Sequence, residues 1–319
     1  MTVVNQEVLS GLRRYEDAET GLSEEFVDAI GSVGATGILS RPVGRPLRST
    51  GWVICPAVGK KRSYLRRLET LVAHTLTRSG YPVVRIRGGS ENVAEEQREM
   101  SFGHRLEEIE AAVRMLEGDE GVRRVGLAGA IFGGTMAALT AERLGLDLLA
   151  LWEPELRGQG FLKDAFRRQV LAALVATPEE SSNGSAPPPR RSAGQELAAQ
   201  GWTTIRGFRL TQEVHDEIAK IDLIKDITTF RGDVLVLAPS TTGEPGRRMA
   251  ELGAHLETIG ARTTLVGIED ELLVPFGEWY FRDVGLARLD SRLELDRKLS
   301  ETTTEWMTAL DARRNGDGT

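Results

Sequence analysis

The residues best placed to do chemistry sit in one short stretch, Val125-Gly-Leu-Ala-Gly129-Ala-Ile131-Phe-Gly133-Gly-Thr135. A strand, a tight turn with glycines two residues to either side of one position, and then a helix make the layout of a nucleophile elbow, G-x-S-x-G. The flanking glycines are steric: the central residue takes positive φ, and strand and helix approach so closely that residues two away must be small. Here the central residue is Ile131, which has no ionisable atom, so no covalent acyl intermediate can form on it. A β-branched residue at positive φ is also a genuine outlier, so the bend is expected to relax. Its backbone can still act. The N–H of Phe132 after the turn, with that of Val58 in an earlier loop, could form an anion-binding pair that holds a carboxylate or polarises a carbonyl.

Carboxylates supply the remaining chemistry. Glu153 follows an apolar strand at the carboxyl edge of the sheet, where open α/β sheets place their ligands. Desolvated there, it is a candidate general base. Glu269, Asp270 and Glu271 follow another strand at the same edge, and Trp152, Ser240 and Glu271 are the expected pocket residues. Solvated loop charges, or ion pairs of Glu153 with Arg157 or Lys163, are the plainer account of these carboxylates, most of all of the triplet. Arg85, Arg87 and Lys60 could hold an anionic substrate or could simply be exposed. Thr135 and Ser240 are poor nucleophiles, because no histidine is placed to activate them.

His74, His104, His215 and His255 fall beside the apolar stripes of their helices and read as solvent-facing. The single cysteine, Cys55, reads as a buried small hydrophobe. Scattered histidines and one thiol make a metal cluster unexpected, and no cofactor is expected. The glycines at 126, 129, 133 and 134 are spaced G-x-x-G-x-x-x-G-G, which is not the dinucleotide fingerprint.

The elements that must position these groups alternate. Gly51–Cys55, Tyr81–Arg87, Arg124–Ala128 and Leu148–Trp152 read as strands. Between them lie helices over Tyr64–Arg78, around Phe102, Leu106, Ile109, Val113 and Leu116, and over Thr135–Leu144. Such βαβ units mean a parallel sheet. Short antiparallel strands are expected at Glu24–Ile30 and Gly37–Leu39. The pattern breaks over 153–230, which holds helices at Phe161–Val175 and Gln212–Ile221 around a Ser/Gly/Pro-rich stretch, 179–195, expected to be disordered. It resumes with strands at Asp233–Ala238 and Thr263–Ile268 and a helix from about Leu293 to Leu310. Residues 1–152 and 231–319 are thus expected to form the core, and 153–230 a helical cap.

The chain has 319 residues with 40% hydrophobic content and a formal charge of −7. That is enough apolar surface for a sizeable core, and the charge argues against a nucleic-acid partner. The longest uncharged stretch, Val125 to Ala141, is 17 residues with four glycines, too short and glycine-rich for a span of about 20 apolar residues. With no signal-like opening, a cytoplasmic protein without membrane association is expected. Its ligand would be a small molecule or peptide, and homo-oligomerisation stays open.

From about Gly51 to Leu310 the chain resembles the α/β-hydrolase superfamily, in particular the serine-aminopeptidase-like and exosortase A system-associated hydrolases of bacteria. The matching pieces are Val53-Ile-Cys-Pro56 with its loop, Gly80-Tyr-Pro-Val-Val-Arg-Ile-Arg87, the bend at Ile131, and Leu149-Ala-Leu-Trp-Glu-Pro154. Gly207-Phe-Arg-Leu-Thr211 is similar to part of the cap of those proteins. The resemblance implies an α/β-hydrolase fold, a mostly parallel central sheet flanked by helices, with an inserted helical cap. It also implies a Ser-His-Asp triad, which does not carry over. Ile131 takes the nucleophile's place, the loop of the acid reads Pro239-Ser-Thr-Thr242, and that of the histidine, Glu269 to Gly277, has no His. Basic residues are 34 Arg to 6 Lys, as in high-GC bacterial genomes. The expectation drawn from this is a non-hydrolytic tailoring enzyme of bacterial specialised metabolism, performing epimerisation, cyclisation or elimination on a carboxylate or peptide. Two alternatives stay open: a non-catalytic binding or scaffold pseudoenzyme, and an esterase or peptidase with an unrecognised nucleophile.

Overall fold

A computed structural model describes residues 13–31, 34–57, 61–88, 102–119, 121–175, 192–205, 208–270 and 286–316. The chain opens on three strands, β1 (Arg14–Asp17), β2 (Leu22–Ile30) and β3 (Ala35–Pro42), which pair antiparallel in that order. Next come β4 (Thr50–Cys55), α1 (Lys61–Arg78), β5 (Val83–Gly88), α2 (Phe102–Glu117), β6 (Arg124–Ala130), α3 (Phe132–Leu144) and β7 (Leu148–Trp152). The stretch that follows holds α4 (Gly158–Val175), α5 (Ala193–Gln200), the hairpin β8 (Trp202–Ile205) and β9 (Phe208–Thr211), α6 (Gln212–Lys220) and the single turn α7 (Leu223–Asp226). β10 (Asp233–Ser240), α8 (Arg247–Thr258), β11 (Arg262–Glu269) and α9 (Leu286–Gly316) complete the order.

Nine strands form one sheet in the order β1-β2-β3-β5-β4-β6-β7-β10-β11. From β5 to β11 every neighbour is parallel, and β3 joins β5 antiparallel. The inner strands carry near-continuous apolar runs because helices cover both of their faces. β4 and β7 are buried at every residue. Alternation then divides the core. Trp52, Ile54, Ala150 and Trp152 join the cluster that includes Leu68 of α1 and Leu299 of α9. Val53, Cys55, Leu149 and Leu151 join the one that includes Ile109 of α2, Met136 of α3 and Leu252 of α8. The fold class expected from the sequence, a mostly parallel sheet between helices, is the one found.

Four expectations need correction. A strand at Arg14–Asp17 was not foreseen, because its side chains are largely exposed and charged and show no apolar alternation. The hairpin β8–β9 was missed for a similar reason: each strand has four residues, too few to show a period. Of the stretch expected to be disordered, 179–191 lie outside the described residues, whereas 192–195 open α5. There Ser192 Oγ accepts the Gln195 N–H, and Gln195 Oε1 accepts the Ser192 N–H. This S-x-x-Q capping box supplies the local order that composition hides. The last helix runs 31 residues, well beyond Leu293–Leu310, since no glycine or proline interrupts it before Gly316.

Candidate functional site

β6 and β7 are parallel neighbours whose last paired residues are Ala130 and Trp152. The next residue of each strand takes positive φ: Ile131 at 52° and Glu153 at 46°, the two non-glycine residues to do so among those described. Such conformations cost on the order of 1–3 kcal/mol each and persist only where the surroundings over-determine them. Ile131, with ψ −118°, has not relaxed, contrary to the expectation from its β-branch. Tertiary contacts override the intrinsic preference. Its N–H donates to Trp152 O at 2.9 Å, and its carbonyl accepts from Thr135 N at 3.1 Å and Glu155 N at 3.3 Å.

The glycines around the bend are steric necessities. A Cβ on Gly129 would lie 2.6 Å from the Gly133 carbonyl carbon, and one on Gly133 would lie 2.7 Å from Cys55 O. Strand, helix and the loop after β4 therefore meet backbone to backbone. The Ile131 side chain is buried, in the cluster that also holds Ala57, Trp152 and Ile268.

Phe132 opens α3, so its N–H belongs to the first turn, where helical amides lack intrahelical partners. Its ring is buried, tilted against Phe161 at 4.8 Å and edge-on to Phe102 at 5.9 Å. Glu153 is half-buried, and its N–H donates to Leu237 O at 2.8 Å. Beyond it, Glu155 pairs with Arg248 at 3.0 Å, while Arg157 pairs with Glu251 at 2.5 Å and Asp222 at 3.8 Å. Arg157 is therefore committed to α8 and the turn before α7.

Ser240 ends β10, at the same edge as Glu153. Its Oγ is buried with no hydrogen-bond partner among the described residues, and its carbonyl accepts the Asp270 N–H at 2.8 Å. Of the acidic triplet, Asp270 is buried and Glu269 exposed. Val58 and Glu271 lie outside the described residues. Trp152 is fully buried and donates its indole N–H to Thr303 Oγ1 of α9 at 3.0 Å. It therefore sits in the core beneath the edge rather than in a pocket wall. Arg85 does not turn to the site either. It bonds Thr70 Oγ1 and Glu24 Oε1, each at 2.5 Å.

The histidines are engaged elsewhere, and three are less exposed than their helix positions suggested. His74 Nε2 is 3.0 Å from Glu24 Oε1, and His255 Nε2 is 2.7 Å from Ile227 O. His215 stacks on Phe166 with Nδ1 2.8 Å from Asp216. The exposed His104 lies 3.6 Å from Glu108. Cys55 is buried, and burial, with the nearby Glu69 charge added, pushes its thiol far above the usual range. No group of three His, Cys, Asp or Glu suited to a metal ion occurs among the described residues. No helix there is long and apolar enough to cross a membrane.

No family model matches the sequence, and no curated protein is similar to it. Solved structures are. Est1E from Butyrivibrio proteoclasticus superposes with a TM-score of 0.54 at 16% identity, over 89% of this chain and 99% of that one. This is an α/β-hydrolase fold. The same enzyme with ferulic acid bound gives 0.53 at 16% identity over 86% and 97% of the two chains. An esterase from Pyrobaculum calidifontis gives 0.51 at 16% identity over 90% and 86%.

These neighbours correct the expectation of a non-hydrolytic tailoring enzyme of specialised metabolism. The similar structures are esterases, and none points to epimerisation, cyclisation or elimination. Sequence reasoning singles out Ile131, Phe132 and Glu153, and the first and last of these take positive φ just past the ends of neighbouring strands. It missed the strain at Glu153, which no local pattern signals, and it weighed Thr135 only as a nucleophile.

Proposed function

We propose that the protein is a carboxylic-ester hydrolase that attacks its substrate with water rather than with a side chain of the elbow. In this reading the triad is degenerate and residues 153–230 cap the carboxyl edge of the sheet. Glu153 takes a proton from water, and the hydroxide adds to the ester carbonyl carbon. The resulting oxyanion rests against the Phe132 amide at the start of α3. The carbon–oxygen bond to the alcohol then breaks as Glu153 returns the proton to the departing oxygen, leaving acid and alcohol.

One observation carries the reading. Two adjacent residues past the ends of neighbouring parallel strands, Ile131 and Glu153, hold positive φ, although neither residue type favours it. Strain kept at paired positions on the carboxyl edge marks a site whose backbone geometry is retained for use. The esterase neighbours support the ester as substrate class, and the hydrocarbon at position 131 supports water as the nucleophile.

The test is turnover of p-nitrophenyl acetate and butyrate by wild type and Glu153→Gln, with fluorophosphonate labelling in parallel. Expected are turnover by wild type, loss on the order of a hundredfold in the variant, and no labelling. Labelling would return the reaction to a serine, and an unchanged Glu153→Gln would remove the base. Ile131 also favours a second reading, a binding protein for carboxylic acids or esters. Absence of turnover with saturable binding of butyrate would select it.

A further inference from the structure

The two strained residues are tied together by a closed set of hydrogen bonds containing a single side chain. Thr135, in the first turn of α3 and fully buried, has one hydroxyl proton to give. Two carbonyls lie within reach, Glu155 O at 2.7 Å and Ile131 O at 3.2 Å. The shorter bond crosses from the helix to the segment after β7. The Glu155 peptide answers with its own N–H, donated to Ile131 O. That residue is thus gripped at both its N–H and its C=O by the elbow.

Glu153 is held from the other side through its N–H to Leu237 O of β10. Between the two anchors stands Pro154, whose ring restricts its own φ and the conformation of the residue before it. The fit is close: a Cβ on Gly134 would lie 3.3 Å from Pro154 Cβ and 2.8 Å from Gly129 O. The three-residue strap Glu153-Pro154-Glu155 is therefore seated on the first turn of α3.

We propose that Thr135 is a positioning residue which, through the Glu155 carbonyl, holds Glu153 in its positive-φ conformation and keeps that bend in register with the bend at Ile131. Its link to catalysis rests on the reading of Glu153 as general base. The clamp itself does not. Remove the hydroxyl, and the strap keeps its β10 anchor but loses its tie to the helix. Glu153 then relaxes toward ordinary backbone and loses its register with the bend at Ile131.

Thr135→Val, which keeps the shape and removes the donor, and Thr135→Ser, which keeps the donor, separate this from a packing role. Amide hydrogen exchange is read first, since it needs no activity. The Glu155 and Ile131 amides should exchange about fivefold faster or more in Thr135→Val and at the wild-type rate in Thr135→Ser. Amides of α1 should be unchanged in both. In ester turnover Thr135→Val should lower kcat on the order of tenfold to a hundredfold with KM unchanged, and Thr135→Ser should restore it.

Unchanged exchange at Glu155 and Ile131 in Thr135→Val overturns the clamp, as does Thr135→Ser behaving like Thr135→Val. If wild type turns over no ester, the hydrolase reading fails while the exchange arm still decides the clamp. Should Thr135→Val not fold, Thr135→Ala is read in the same exchange experiment with the same two outcomes.

Discussion

Trp152 donates its indole N–H to Thr303 Oγ1 at 3.0 Å, and both side chains are fully buried. The bond joins the end of β7, one residue before Glu153, to the middle of α9. Thr303 passes its own proton to Leu299 O at 2.7 Å, so the chain of donors is complete. Thr303→Val keeps the volume and leaves a buried N–H unpaired, which costs about 1–3 kcal/mol. The midpoint of urea unfolding should fall with an unchanged slope, and Thr303→Ser should recover most of it. A Thr303→Val protein as stable as wild type would show that the indole finds another acceptor.

Strain at Ile131 makes its side chain less valuable than its burial suggests. Ile54, in regular strand and 1% exposed, is the control, against 4% for Ile131. Ile131→Gly loses buried hydrocarbon but relieves about 1–3 kcal/mol of backbone strain, whereas Ile54→Gly relieves nothing. Ile131→Gly should therefore be the less destabilising of the two in denaturant unfolding. Equal losses would mean that the bend stores no strain.

Installing the missing hydroxyl should not create a serine hydrolase. Each of the four histidines is engaged away from the bend, so Ile131→Ser has no imidazole to activate it. Its fluorophosphonate labelling should equal that of wild type. A burst of labelling in Ile131→Ser would reveal a base supplied by other means.

Acid should weaken the antiparallel end of the sheet. Ser40 Oγ at 2.9 Å, His74 Nε2 and an Arg85 nitrogen all converge on Glu24 Oε1. Burial opposes ionisation of this carboxyl. The His74 bond and the Arg85 charge outweigh it, holding the group at about 2 against the usual 4.5. A depressed folded-state value stabilises the fold above the unfolded value and loses that contribution as pH falls toward the folded one. Stability should thus decline between about pH 4.5 and 2, and Glu24→Gln should flatten that decline in thermal melts. An identical acid limb in Glu24→Gln would assign the loss to other carboxylates.

Glu142 ties the chain just after α7 to α3. One of its oxygens accepts both the N–H and the hydroxyl of Thr228 and of Thr229, at 2.7–3.2 Å. Burial raises the proton affinity of this carboxyl, and the four donors more than reverse that. Glu142→Ala should cost about 1–3 kcal/mol and speed proteolysis near residue 228. Resistance equal to wild type would show that the turn holds without the carboxylate.

Much of this architecture is legible in the sequence. Trp52-Val-Ile-Cys55 and Val234-Leu-Val-Leu-Ala238 announce inner parallel strands, because strands buried on both faces cannot alternate. The spacing of Gly129 and Gly133 announced the bend, since a Cβ at either would collide with backbone. What escaped depends on distant partners. Ile131 keeps positive φ through bonds to Trp152 and Glu155, and Trp152 turns to a threonine 151 residues away. Glu153 stands out in the sequence for its place at the sheet edge, but its positive φ goes with an N–H bonded to Leu237 O, 84 residues away. The edge strand β1 carries no apolar pattern to read.

The burial of Cys55 makes the chain its own stopwatch. The single sulfhydryl sits at the end of a strand flanked on both sides by neighbours, with its acidity suppressed by the same enclosure. An alkylating reagent must wait for β4 to leave the sheet before it finds a target, so labelling in native buffer counts openings of the molecule's centre. A thiol kept so far from solvent gives every variant above a common clock, read at a residue already present.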